Sequence, residues 1–210
     1  TGKPLGLMDG EFITSMRTGA VTAVAARIFS CQKAAKVALF GAGVQGMIQL
    51  EGIFSVREVR EVYVFDRDEN RIRDFIGALL EKSWFRKSNA VVRMGEQEKN
   101  LPDCDIIITA TTSRTPVFRG KHVKPGAFIS AVGGFTPDMQ ELESELVARS
   151  KIVVDSYDAS LKEAGDLLIP IAEGLMTEAD IFCDLGEAVM RQDDPGFREK
   201  LAPSDTVVFK

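Results

Sequence analysis

The chain has 210 residues, 45% of them hydrophobic and 27% charged, with a net charge of −5. That balance suits a folded chain with one sizeable core, and an acidic surplus without clustered Lys and Arg argues against a nucleic-acid or anionic-membrane surface. No run approaches the roughly 20 apolar residues of a membrane span, and Cys31, Cys104 and Cys183 lie too far apart for a zinc motif or a disulfide framework, which fits a reducing, cytoplasmic setting.

Residues 1–10 read as the end of a Gly/Pro turn and a short strand. A helix is predicted over 13–30, where Met16, Ala20, Val21, Val24, Ala25, Ile28 and Phe29 recur at helical spacing behind Thr14 or Ser15 as cap. Strands are predicted over 36–40, 62–65, 90–94, 105–111, 127–132 and 151–154, with helices over 44–54 and 69–81. The strands are apolar runs without alternation, as expected of strands buried on both faces. Their alternation with helices predicts a doubly wound, mostly parallel α/β sheet in three αβα layers, with the chain forming one domain. Beyond residue 164 the pattern weakens. Residues 166–170 look extended, 185–190 look like a short helix, and 206–209 form a β-branched run that reads as a strand leading onward.

The strongest local signal is Gly41-Ala42-Gly43-Val44-Gln45-Gly46. It follows a predicted strand and opens a predicted helix, the context that turns a glycine pattern into a Rossmann dinucleotide site. Gly41 permits the tight turn, Gly43 lets a pyrophosphate approach the backbone, and Gly46 lets the helix pack on the strand. Asp66 ends the next strand 25 residues after Gly41. That position suits either a ribose hydroxyl or the cap of the following helix. A carboxylate there repels a 2′-phosphate and favours NAD. Arg67 either stacks on adenine or holds that phosphate, so NADP stays open. Thr111 and Thr112 follow the fourth strand, and Val132, Gly133 and Gly134 end the fifth. Both loops belong to the carboxyl edge where ligands sit in such sheets.

These and further stretches resemble the ornithine cyclodeaminase/mu-crystallin family. They are ITSMRTGA at 13–20, GAGVQG at 41–46, FDRD at 65–68, TATTSRTPVF at 109–118, VGGFTPDMQEL at 132–142, VVDSYDASLKEAGDLLIPI at 153–171 and DLGEAV at 184–189. The resemblance implies a two-domain subunit that forms a homodimer. This chain would be its cofactor domain, with short flanking elements of a separate substrate and dimerisation domain. It also implies that Arg17 lies near the cofactor pyrophosphate and the substrate carboxylate, that Val44 and Gln45 supply backbone contacts, and that Asp66 is the ribose acid.

One departure bears on the chemistry. Cyclodeaminases and several alanine dehydrogenases of the family carry an aspartate after the paired glycines; here the residue is Phe135, and the lysine usual a few positions later is Met139. The mu-crystallin branch, which reduces cyclic imines, lacks that aspartate too. Its x-Pro-Asp-x-x-Glu-Leu pattern resembles residues 136–142.

His122, the single histidine, sits in a polar stretch, so no histidine-based acid/base or triad is expected. No His/Cys/carboxylate cluster suggests a metal. Asp138 is a candidate for proton delivery, or for capping a turn. Trp84 is expected to pack an edge of the layers. The resulting expectation is an NAD(P)-dependent oxidoreductase acting on the C–N bond of a small amino or imino acid. The alternatives are an ornithine-type cyclodeaminase and a crystallin-like nucleotide-binding protein without turnover.

Overall fold

Successive residues of β1 (Lys36–Phe40) enter different layers: Val37 and Leu39 join one buried cluster, Ala38 and Phe40 another. β2 (Glu61–Phe65) alternates in the same way through Val62 and Val64 on one side and Tyr63 and Phe65 on the other. Strands apolar on both faces need cover on both faces. The computed structural model, which describes residues 2–210, supplies it with helices on each side of an eight-stranded sheet. The other strands are β3 (Val91–Met94), β4 (Ile106–Thr109), β5 (Phe128–Ala131), β6 (Lys151–Val154), β7 (Ile181–Asp184) and β8 (Val207–Phe209). Every pairing is parallel, and the order is β3-β2-β1-β4-β5-β8-β6-β7. The expected doubly wound, Rossmann-type sheet is therefore the observed one. No helix among the described residues is long and apolar enough to cross a membrane.

The long helices are α1 (Gly10–Phe29), α2 (Val44–Val56) and α3 (Glu69–Leu80). In α3 the buried residues are Ile72, Phe75 and Leu79, one stripe of the helix. Each such side chain contributes about 1.5–3 kcal/mol on burial. α1 and α2 cross where a Cβ on Gly52 would lie 2.5 Å from the Gly19 carbonyl oxygen. A buried 3.0 Å hydrogen bond between the Thr22 and Ser130 hydroxyls ties α1 to β5. Together these contacts set the position of Arg17 on α1. The shorter helices are α4 (Ser83–Ser88), α5 (Gln97–Asn100), α6 (Ser144–Ala148), α7 (Tyr157–Glu163), α8 (Gly165–Ala172), α9 (Leu185–Arg191) and α10 (Pro195–Arg198). In α4, Trp84 packs on Phe54 of α2 at a centroid distance of 5.1 Å.

Three expectations are corrected, and one strand is added. The short strand expected within 1–10 does not form: Thr1 lies outside the described residues, 2–9 are neither helix nor strand, and Gly10 opens α1. The cap of α1 is Asp9, whose Oδ1 accepts from Glu11 N at 2.9 Å and Phe12 N at 3.1 Å; Thr14 and Ser15 lie inside the helix. Residues 166–170 are not extended but lie within α8, with Pro170 inside it. The start of α8 is anchored from outside, since Asp166 accepts from the backbone of Glu141 and Leu142, and tertiary context of this kind overrides the propensity of a Pro-containing segment. The added strand is β7, whose apolar run Ile181-Phe182-Cys183 before Asp184 is too short to single out in sequence.

Candidate active site

From β1 the chain runs outward to β2 and β3, then returns to start β4 on the other side of β1. The carboxyl ends of β1 and β4 thus form the switch point where such sheets open a crevice. Two clefts meet there, of about 630 Å³ and 430 Å³, and share Ala110, Thr111 and Thr112.

The larger cleft is built on the glycine loop. Gly41 has φ +103°, a conformation L side chains rarely adopt, and its N–H donates to Phe65 O at 2.8 Å. A Cβ there would also meet Ala110 O at 2.4 Å. On Gly46 a Cβ would lie 2.5 Å from Gly41 O, so its absence lets α2 pack against the loop. Gly43 differs: the nearest atom to a Cβ there is Arg71 Nη2 at 3.8 Å, so the space above it is open. Gly43 caps α2 without any side-chain hydrogen bond, leaving the helix's first N–H groups for a ligand. The Val44 side chain is exposed and lines neither cleft, so only its backbone faces the space over the loop.

Asp66, Arg67 and Arg71 line the same cleft. Asp66 Oδ2 accepts from Ala42 N at 2.9 Å and Oδ1 from Asp68 N at 3.1 Å, so the carboxylate also braces the glycine loop. It does not cap α3; Asp68 does, accepting from Asn70 N at 2.9 Å. Arg71 has no sequence motif to single it out; only the turn of α3 brings it over Gly43.

The smaller cleft is lined by Arg17, Gln45, Val132, Gly133, Gly134 and Phe135. The Gln45 side-chain oxygen is buried there and has no hydrogen-bond partner. Phe135 is exposed and gives the cleft an apolar wall. Asp138 lines neither cleft. It accepts from the Thr136 hydroxyl at 2.6 Å and pairs with Arg114 at 3.2 Å, contacts that hold its carboxyl below the usual range. A surface carboxylate so placed braces a turn. His122, in a 3₁₀ turn over Gly120–His122, lines neither cleft. Burial pushes the Cys104 and Cys183 thiols up to about 12, which keeps both protonated and poorly nucleophilic near neutrality.

Under the smaller cleft lies a polar network that pattern reading does not find. Glu141 is fully buried. Its Oε1 accepts from Thr111 N at 2.7 Å and the Thr111 hydroxyl at 2.6 Å; its Oε2 accepts from the Thr109 hydroxyl and Gly133 N, both at 2.8 Å. Burial pushes the Glu141 carboxyl above its usual range and Asp166 adds to that, against the pull of the two threonines and Lys210. Asp166, also fully buried, accepts from Glu141 N at 2.7 Å, Leu142 N at 2.9 Å and Lys210 Nζ at 2.9 Å. The Thr111 hydroxyl donates its hydrogen bond to Glu141, while Thr112 stays exposed to both clefts. Gly133 is small because a Cβ would fall 2.1 Å from Thr111 O, a contact inside the protein.

Comparison with known proteins matches this architecture. Delta(1)-pyrroline-2-carboxylate reductase of Bacillus cereus is 37% identical over 190 residues, 90% of this chain and 57% of that protein. The Thermococcus litoralis Delta(1)-pyrroline-2-carboxylate reductase, solved with NADH and L-proline, superposes with TM-score 0.87 at 33% identity, covering all of this chain and 62% of that one. An archaeal alanine dehydrogenase dimer with bound NAD gives TM-score 0.85 at 26% identity, again covering all of this chain and 62% of that one. The chain thus spans about three fifths of the length of these relatives. The family model matches residues 1–210, and the chain belongs to the ornithine cyclodeaminase/mu-crystallin family.

Proposed function

We propose that this chain binds NAD(H) across the two clefts and that the protein carrying it reduces the C=N bond of a small imino acid, or forms an amino acid from a keto acid and ammonia. The observation that carries the reading is the uncapped start of α2 between the clefts, with open space over Gly43 and an orphaned Gln45 oxygen on the far side. The residues fit the dinucleotide. The adenosine ribose would meet Asp66, the pyrophosphate the free N–H groups of the glycine loop with Arg71 above, and the nicotinamide the smaller cleft, where Gln45 Oε1 lacks a donor. The bound nicotinamide supplies hydride transfer.

The chain's own residues then orient the reactants. Arg17 presents a guanidinium that forks onto a carboxylate or the pyrophosphate. Phe135 offers a flat apolar surface for a planar imine and no partner for a charged amine, whose burial unpaired costs several kcal/mol. That disfavours a cyclodeaminase. The relatives act as their names state, a pyrroline-2-carboxylate reductase and an alanine dehydrogenase; the latter is a dimer, and a homodimer is the assembly proposed for the protein carrying this chain. The test assays that protein with NADH and NADPH against Delta(1)-pyrroline-2-carboxylate and against pyruvate with ammonia, and with ornithine and NAD for ammonia release. Reduction of one of the first two without ammonia from ornithine is expected; robust proline formation from ornithine overturns the reading.

Cofactor choice gives a second measurable outcome. Asp66→Asn keeps an acceptor for Ala42 N, gives up the one for the exposed Asp68 N, and removes the charge. It is expected to shift the NADPH-to-NADH affinity ratio upward by about tenfold, one nearby like charge at partly exposed dielectric. Calorimetric titration of both nucleotides reads the ratio. If the unsubstituted chain already prefers NADPH, Arg67 and Arg71 outweigh Asp66 and the NAD preference is wrong.

A further inference from the structure

Glu141 lines neither cleft, yet the loops that wall the smaller one hang on it. Its four donors come from the end of β4, the loop after β4 and the loop after β5. The two loops touch, since a Cβ on Gly133 would lie 2.1 Å from Thr111 O. The next residue, Gly134, packs against the Asp166–Lys210 pair, and Asp166 in turn holds the Glu141 backbone. We infer that Glu141 is a positioning residue for the nicotinamide half of the dinucleotide: it sets the separation of the Thr111–Thr112 and Gly133–Gly134 loops that form the slot. The inference rests on the cofactor reading above.

The chemistry requires a carboxylate. Each oxygen faces one backbone N–H, Thr111 on one side and Gly133 on the other. A hydroxyl can rotate to accept, but a backbone N–H cannot. A glutamine at 141 therefore sets its NH₂ against an N–H in either orientation, leaving donors unpaired and pushing one loop away. Thr111 and Thr112 wall both clefts, but the damage falls mainly on the slot, because Gly43, Asp66, Arg67 and Arg71 in the larger cleft make no bond to Glu141.

ADP-ribose carries the adenosine and both phosphates but no nicotinamide, so the ratio of NADH to ADP-ribose affinity isolates the slot. Calorimetry on this chain is expected to show NADH binding roughly tenfold tighter, and Glu141→Gln to bring the ratio close to one, with a much smaller loss of ADP-ribose affinity than of NADH affinity. Thr109→Val removes one donor, lines neither cleft and is expected to give an intermediate ratio; it carries the test if Glu141→Gln does not fold. An unchanged ratio in the variants, equal loss of both ligands, or no gap in the unsubstituted chain overturns the positioning role. If neither ligand binds the unsubstituted chain, the cofactor reading fails and the inference with it.

Discussion

Gly43→Leu is expected to abolish detectable NADH binding while leaving the melting temperature of the chain within a degree or two. Both halves follow from the same observation. Nothing but the end of Arg71 comes within 4 Å of a Cβ on Gly43, so the fold accommodates a side chain there. The space it fills is the approach to the free N–H groups of α2, and losing the pyrophosphate contacts costs about 3 kcal/mol or more, a hundredfold or greater loss of affinity. Gly41→Ala should behave in the opposite order. Its φ of +103° and the 2.4 Å approach to Ala110 O make the substitution a stability defect first, of about 2 kcal/mol or more. Calorimetric titration with NADH beside thermal melting separates the two. Unchanged NADH binding in Gly43→Leu would sink the assignment of the loop.

The largest stability effect should come from Asp166→Ala. The Lys210 side chain is 5% exposed and its partner 0%. Truncating Asp166 leaves a buried ammonium and the N–H groups of Glu141 and Leu142 unpaired, a loss of about 3–5 kcal/mol by analogy with other broken buried pairs. Urea unfolding would show it as a fall in midpoint. Asp138→Ala is the matched control: its pair with Arg114 is exposed on both sides, and such pairs contribute about 0–1 kcal/mol. Similar midpoints for the two variants would show that the buried pair does not hold α8 and the loop before α6 in place.

Why pattern reading finds the larger cleft and misses the network is a matter of range. Gly41, Gly43 and Asp66 belong to one strand–helix–strand unit, and local spacing exposes them. Glu141, Asp166 and Lys210 meet only when β4, β5, α8 and β8 come together, and an acidic residue destined for full burial looks in sequence like any surface acid. The same cause explains α8: its Asp and Pro suggest an extended segment until the donors that anchor Asp166 are known. Gly133 and Thr111 line the crevice, as their place after the strands suggests, but the bonds of both to the buried Glu141 have no local signature. Asp138 was visible as a carboxylate in the right stretch, but its side chain points to Arg114.

β8 bears on how the molecule assembles over time. β6 and β7 come earlier in the chain, yet within the sheet they reach β5 only through β8. The sheet therefore cannot grow strand by strand in order of synthesis. The β6–β7 pair has to wait, with one hydrogen-bonding edge open, until residues 207–209 slot between it and β5. Such late, long-range closure is slow and leaves a sticky edge in the meantime. It also ties the completion of the smaller cleft to that closure, because Lys210, which lines it, arrives with the same strand.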